Sequence, residues 1–503
     1  MPTSNSSAAD AQLPVNEGHR RALEWVQTGP KKLLIGGEWV NAKSNRTFDS
    51  FDPSTEQRLT SVAEADALDV DAAVVAARKA FEAPSWSGIT PHARTRALLK
   101  IAEMIDLHAD ELAALESLDN GMPLWYSTAS AAAAGEVFRY YAGWPSKMFG
   151  TTNPTDSSAF LYTVREPMGV CGQINAWNVP LMQAAIKIST ALACGNTVVM
   201  KPAEQAPLST LRLAELILET NLPPGVLNIL PGFGPSAGAA IAAHLGIDKV
   251  AFTGSTAIGK QILEASIGNL KKVTLELGGK SPNIIFPDAD IEKAVQSAVK
   301  SFCSNSGQVC SAGTRVFVHE SLHDEVSEHI AKIAATYKVG SPFASDTKLG
   351  PLISAKQLER VLHYIESGKE AGATLLQGGC RIGGTGHFVE PTVFSGVANT
   401  MKIAQEEIFG PVVSIIPFKD ENDAVFQGND TQYGLAAAVW TRDISRAHTV
   451  ARRLKAGRVW INTYGEADPV MAFGGYKQSG IGREFGAESI DAYTQTKAVL
   501  VRF

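Results

Sequence analysis

The chain has 503 residues, 45% of them hydrophobic and 19% charged, a balance that fits globular protein and excludes disordered, collagen-like and membrane-spanning compositions. At roughly 150 residues per domain it has room for about three domains. The 45 Lys and Arg against 51 Asp and Glu give a formal charge of −6, which disfavours nucleic acid or an anionic membrane as partner.

In chain order, residues 1–30 read as an arm, and their first ten (MPTSNSSAAD) lack the basic-then-apolar run of a leader. Residues 69–83 and 91–118 place apolar positions at helical spacing with charges between them, which predicts helices. From about 169 to 277, apolar runs without in-and-out alternation (NTVVM, VLNIL, KVAFTG, KVTLELGG) alternate with helical stretches such as 209–220. Parallel strands covered on both faces have this pattern, so the fold class is α/β. Residues 221–247 carry no Asp, Glu, Lys or Arg, but Pro223, Pro224, Pro231 and Pro235 break any spanning helix. A second α/β section follows to about residue 478. The tail 492–503 reads as a strand whose apolar edge invites pairing with another chain. Five cysteines, with no C-x-x-C pair, suit a reducing compartment, so a cytoplasmic location is expected.

Two motif matches sit in weak surroundings. His319-Glu320-Ser321-Leu322-His323 fits H-E-x-x-H, a zinc motif only when both histidines lie on one helical turn. Here Arg315-Val316-Phe317-Val318 reads as a strand and Ser321, with Asp324 three residues on, as a helix cap, which leaves His319 outside the helix and no metal site. Gly234-Pro235-Ser236-Ala237-Gly238 fits the G-x-S-x-G of a hydrolase elbow between strand and helix. That reading needs an acid and a histidine in a distinctive setting, and none is evident.

Three further segments set a reactive or polar side chain among small residues. Cys310, within Ser304-Asn305-Ser306-Gly307-Gln308-Val309-Cys310, is either a packing thiol or an accessible nucleophile. Glu276, before Gly278-Gly279-Lys280, ends a strand where α/β sites form and is either a surface ion-pair partner or a general base. Asn178, in Ala176-Trp177-Asn178-Val179-Pro180, is either a helix cap or an amide donor facing a cleft. Together a thiol, a carboxylate and an amide donor are the parts for making and hydrolysing a thioester through an oxyanion.

These segments, with Lys201-Pro202-Ala203-Glu204, Phe252 to Gly259, Glu406 to Pro411 and Phe473 to Lys477, resemble the signature motifs of the NAD(P)-dependent aldehyde dehydrogenase superfamily from about residue 35 to 497. The resemblance implies a Rossmann-like parallel-sheet NAD-binding domain (31–147 and 168–277), an α/β catalytic domain (278–478) and a small β oligomerisation arm (148–167 and 479–503). It makes Cys310 the nucleophile, Glu276 the base, and Asn178 with the Cys310 N–H the oxyanion donors. Lys201 and Glu204 would hold the adenosine ribose, Ser255 beside Gly254 the phosphate, Glu407 the nicotinamide ribose, and Ile174, Trp177, Leu277 and Phe409 the rest of the cofactor surface, with Lys280 ordering that side. A carboxylate at Glu204 favours NAD over NADP, and Glu276 favours hydrolysis over transfer to coenzyme A. Cys303 lacks the matched frame and reads as a packing thiol. Ala176 and Ala472 stand where the family pattern has proline, which removes a fixed φ but no reactive group.

The positions matching the substrate tunnel are Val179, Met182, Gln183, Ile186, Ser304, Val309, Ser311, Ala467 and Phe473. Small side chains among them leave volume for a ring. No arginine is there to pair a second carboxylate, and loop 464–472 resembles that of bacterial enzymes acting on arylalkyl aldehydes. An aromatic aldehyde such as phenylacetaldehyde is therefore the expected substrate, with a broad-range or aliphatic aldehyde as alternative, in a homodimer or homotetramer.

Overall fold

The alternation of β-branched runs and alanine-rich helices becomes two α/β layers and a small separate sheet in the computed structural model, which describes residues 15–503. The first sheet runs in the order Glu38–Val40, Leu33–Ile35, Leu227–Ile229, Thr197–Lys201, Val170–Ile174, Lys249–Thr253, Lys272–Glu276 and Gly480–Ile481. Its five strands from Leu227–Ile229 to Lys272–Glu276 are parallel, and the outer ones pair antiparallel. Every residue of Val170–Ile174 and Thr197–Lys201 is buried, which is why neither shows a polar face in the sequence. The order reverses at Val170–Ile174, and a crevice beyond the carboxyl ends of strands at such a reversal is where α/β sheets bind ligands. Ile174, Lys201, Thr253 and Glu276 all stand at those ends.

The second sheet runs Thr374–Gln377, Thr392–Ser395, Val412–Phe418, Arg315–His319, Pro282–Ile285, Ala436–Trp440, Arg458–Ile461, parallel except for its first strand. A third, antiparallel sheet joins Thr494–Arg502 to Ala159–Pro167 over nine residue pairs and Ala159–Pro167 to Thr152–Asn153.

Three local outcomes differ from the sequence reading. The helix expected over 91–118 is two, Pro91–Leu107 and Ala109–Asp119, parted at His108 (φ −113°, ψ 17°). The second opens with Asp110 and Glu111, acids that its N-terminal dipole favours, and apolar spacing runs on through the break and hides it. Residues 15–30 hold the helix Glu17–Gln27, capped by Asn16 and tied down by Trp25 Nε1 donating to Glu215 Oε2 at 2.7 Å; the rest of the expected arm, residues 1–14, lies outside the described residues. Part of 479–503, the strand Gly480–Ile481, is built into the first sheet against Leu275 and Glu276.

Candidate active site

Helix Ile291–Cys303 delivers the chain into a tight reversal in which Asn305 (φ 47°), Ser306 (φ 55°) and Gly307 (φ 73°) are successively left-handed. Two non-glycine residues there cost on the order of 1–3 kcal/mol each, so the surroundings must hold them. Ser306 Oγ donates to Gly350 O at 2.8 Å, and Gln308 Oε1 accepts from Ile353 N at 3.0 Å. A Cβ on Gly307 would come within 2.2 Å of Gly410, and one on Gly279 within 2.4 Å of the Cys310 carbonyl oxygen. Cys310 emerges from this loop half-buried, whereas Cys303 is enclosed among Phe302, Val316 and other apolar side chains.

Asn178 follows strand Val170–Ile174 and precedes helix Pro180–Ala193, yet it is not that helix's cap, which is Val179. Its Nδ2 donates to Gln308 O at 3.0 Å, and Asn305 Nδ2 donates back to its carbonyl at 2.7 Å, so the amide loop and the thiol loop clamp each other. Helix Ala109–Asp119 holds the amide loop from behind. Asn120 Nδ2 donates to Trp177 O at 2.5 Å and Glu116 Oε1 accepts from Leu181 N at 2.8 Å.

Glu276 ends strand Lys272–Glu276 buried, with neither carboxylate oxygen hydrogen-bonded. Burial and the charge of Glu484 push its pKa well up, against the pull of Lys187, Arg483 and Arg458. A Cβ on Gly474 would lie 2.8 Å from Glu276 Oε1, so glycine keeps room beside that oxygen. Behind it Lys187 Nζ lies 2.8 Å from Glu484 Oε1 and donates to Thr253 Oγ1 at 2.7 Å. The Cys310 thiol is pushed up to about 12 by burial and by the carboxylates of Glu407 and Glu276. Glu407, accepting from Gly279 N at 3.0 Å, is itself raised to about 7 by burial, and Lys280 is lowered to about 7 the same way.

On the adjoining crevice, Lys201 Nζ is buried and donates to Glu204 Oε2 (3.0 Å), Gly232 O (2.8 Å) and Pro202 O (2.9 Å), which fixes the Glu204 carboxylate at the end of its strand. Ser255 is exposed at the start of helix Thr256–Ala265 and caps it, and a Cβ on Gly254 before it would strike the Phe252 ring at 2.4 Å. Gly259 lets this helix close on Leu277, where a Cβ would sit 2.6 Å from Leu277 Cδ2. Ile174 is buried below, and the rings of Trp177 and Phe409 meet edge to face at 5.2 Å, Phe409 with φ 63°. A Cβ on Gly278 would strike Glu407 Oε2 at 2.4 Å. A capped helix start, two placed carboxylates and two aromatic rings set at right angles have the chemistry to receive a dinucleotide.

Of the tunnel positions, Val179, Met182, Ser304, Val309, Ser311 and Phe473 are partly exposed and Ala467 is exposed, while Gln183 and Ile186 are buried. The Ser304 hydroxyl is spent on Lys300 O (2.7 Å), and Ser311 O accepts from Tyr464 OH (2.6 Å). Arg458 lies under Phe473, its guanidinium 5.0 Å from the ring centre and donating to Met471 O (2.6 Å) and Ala472 O (3.2 Å). It pins the loop at Ala472, where the family pattern has proline.

His319 ends strand Arg315–His319 and His323 opens helix His323–Ala335, so the two share no helical turn. Ser321 is not the cap expected of it, since Leu322 occupies that place and Ser321 instead bonds the His319 ring. Ser236 lies in a short π-helical turn, Gly234–Gly238, its hydroxyl turned to Phe233 O at 3.3 Å. Among the described residues no three His, Cys, Asp or Glu side chains gather as a metal site. Sequence reasoning missed Lys187, Glu484 and Arg458. Lys187 had a signal, a lone cation inside the apolar helix PLMQAAIKISTALA, whereas Glu484 meets it only through the fold.

Residues 39–499 match the family model described as Aldehyde dehydrogenase family. Aldehyde dehydrogenase family 2 member B4, mitochondrial, of Arabidopsis thaliana is 50% identical over 477 residues, 94% of this chain and 89% of that protein. Benzaldehyde dehydrogenase, mitochondrial, of Antirrhinum majus is 48% identical over 473 residues, 93% and 88% of the two chains. The NAD+ complex of aldehyde dehydrogenase from Bacillus cereus superposes with a TM-score of 0.94 at 49% identity, covering 96% of this chain and 98% of that one.

Proposed function

The chain belongs to the aldehyde dehydrogenase family and carries out NAD-dependent aldehyde oxidation, and from that premise we propose that its substrate is an aromatic or arylalkyl aldehyde, oxidised through a thioester on Cys310. The observation that supports the catalytic assignment is the mutual clamp of Asn178 with Asn305 and Gln308, which ties the amide loop to the loop that carries Cys310. The Cys310 thiol gives its proton to bulk water, its sulfur attacks the aldehyde carbon, and the new oxyanion accepts from Asn178 Nδ2 and the Cys310 N–H. NAD, when bound, supplies the acceptor for the hydride lost from that carbon. Lys201, Glu204, Ser255, Glu407 and the rings of Trp177 and Phe409 would hold it. Cys310 is left as thioester; Glu276 takes a proton from water, whose oxygen adds to the acyl carbon, and the acid leaves as the thiol re-forms.

Replacing Cys310 by Ala should abolish turnover and single-site alkylation; more than about a tenth of wild-type kcat refutes the nucleophile assignment. Glu276→Gln should give up to one NADH per site and then stall with an acyl adduct on Cys310 visible by mass spectrometry. Steady turnover without adduct would mean that another group activates water.

For the substrate, Val179, Ser304 and Ala467 offer small side chains at accessible positions, and a relative named for benzaldehyde shares nearly half of the sequence. Phenylacetaldehyde should exceed acetaldehyde in kcat/KM by at least about tenfold, or roughly 1.4 kcal/mol from burying part of a ring. Ser304→Phe should shrink that ratio, and equal use of acetaldehyde by the unmodified enzyme favours the broad-range reading. We also place the protein in the cytoplasm as a homo-oligomer joined through the strand Thr494–Arg502.

A further inference from the structure

Gln183 matched a tunnel position, yet it is buried, 4% exposed, in a helix that is otherwise almost wholly apolar. A buried primary amide in such a place is costly unless its groups are paired. Both ends of this one are. The Ala176 N–H donates to Gln183 Oε1 at 2.8 Å, Gln183 Nε2 donates to Asn178 Oδ1 at 2.8 Å, and Asn178 Nδ2 donates to Gln308 O at 3.0 Å.

The chain has one direction. A backbone N–H can only donate and a backbone carbonyl can only accept, so the two ends dictate which way both amides face. Turning either amide over sets oxygen against oxygen and N–H against N–H. Asn178 Nδ2 bears two N–H groups, one spent on Gln308 O, two residues before the thiol, and the second left for an incoming oxygen. Donation into Oδ1 also polarises the amide and strengthens that remaining donor.

We propose that Gln183 is a positioning residue that locks the Asn178 amide in its oxyanion-donating orientation, anchored by the N–H of Ala176. A proline at 176 would have no N–H with which to start the chain. The proposal rests on Asn178 being the oxyanion donor, so both are tested together. Gln183→Leu should lower kcat/KM for the aldehyde about tenfold in the wild-type background and cause no further loss in Asn178→Ala, while the KM for NAD and the alkylation rate of Cys310 stay unchanged. Equal losses in both backgrounds, or none in the wild type, overturn it. If Asn178→Ala itself costs less than tenfold, the oxyanion reading falls and takes this proposal with it; a large Asn178→Ala effect beside a neutral Gln183→Leu sinks the proposal alone.

Gln183→Glu provides a second readout. Its protonated acid can still accept from Ala176 and donate to Asn178 Oδ1, whereas its carboxylate sets two acceptors face to face. Activity relative to wild type should therefore be highest at low pH and fall as the new group ionises, the ratio cancelling the titrations of Cys310 and Glu276 that both proteins share. A ratio independent of pH overturns the proposal.

Discussion

Cys310 in the free protein has a thiol held near 12, far above the pH at which a nucleophile must act. After burial, the largest cause is Glu407, whose carboxyl is itself lifted to about 7. Glu407 is thus mostly neutral below pH 7 and charged above it, so its repulsion of a thiolate grows as the pH rises. Glu407→Gln keeps an oxygen for the Gly279 N–H and removes the charge. Iodoacetamide should therefore alkylate Cys310 faster in this variant above about pH 7, the two rates converging below it. A constant ratio from pH 6 to 9 would show that Glu407 does not govern the thiol. Glu276 and Cys310 drew attention in the sequence because each stands beside glycines or small residues, and Asn178 because it lies between an apolar run and a helix start. Arg458 could not, because its bonds to the Met471 and Ala472 carbonyls form only once the chain has turned back on itself, and Gln183 was read as a tunnel position because its bonds to Ala176 and Asn178 depend on how the loop folds over the helix.

Helix Ala109–Asp119 acts on the site through its last turn, where Glu116 accepts from Leu181 N at the start of helix Pro180–Ala193 and Asp119 Oδ2 accepts from Leu208 N at the start of Leu208–Leu218. Both carboxyls are buried, and burial raises Glu116 to about 7 and Asp119 well above its ordinary value. Between about pH 4.5 and 7 the native state holds the Glu116 proton that the unfolded chain has released, so this group lowers stability as the pH rises through that window. Glu116→Gln keeps the acceptor without the ionisation. Its stability in denaturant titrations, relative to wild type, should climb from pH 4.5 to 7 by up to about 3 kcal/mol and level off above. A flat difference would show that Glu116 does not titrate there. The five parallel strands of the first sheet were legible from their mainly apolar runs, since burial on both faces removes the in-and-out alternation, whereas the short outer strands Leu33–Ile35, Glu38–Val40 and Gly480–Ile481 were not. The break at His108 and the start of His323–Ala335 were not, because a change of direction with intact apolar spacing does not alter the periodic signal.

The three-stranded sheet stands apart from both α/β layers. The chain is tied to the first layer as far as Tyr493 and Thr494, whose carbonyls accept from Asn196 Nδ2 and Lys272 Nζ, and from there Gln495 to Arg502 pair with the strand Ala159–Pro167. Pairing Val499 with Tyr162 and Val501 with Phe160 gathers these four side chains on one face, with Val164 beside them opposite Lys497. Phe160 and Val501 are 43% and 39% exposed. Thr494–Arg502 is also the outer strand, with one edge unpaired among the described residues. An apolar face and an open edge on one three-stranded sheet are what a second copy of the chain would cover, whereas a lone subunit would leave both in water. Phe160→Lys sets a charge on that face without touching the clamp of Asn178 and Cys310. Sedimentation should then show a shift to a smaller species than wild type, with Cys310 alkylation unchanged, because the thiol loop belongs to the other layers. A wild-type protein that sediments as a monomer, or a variant that keeps the wild-type assembly, would place the subunit contact elsewhere.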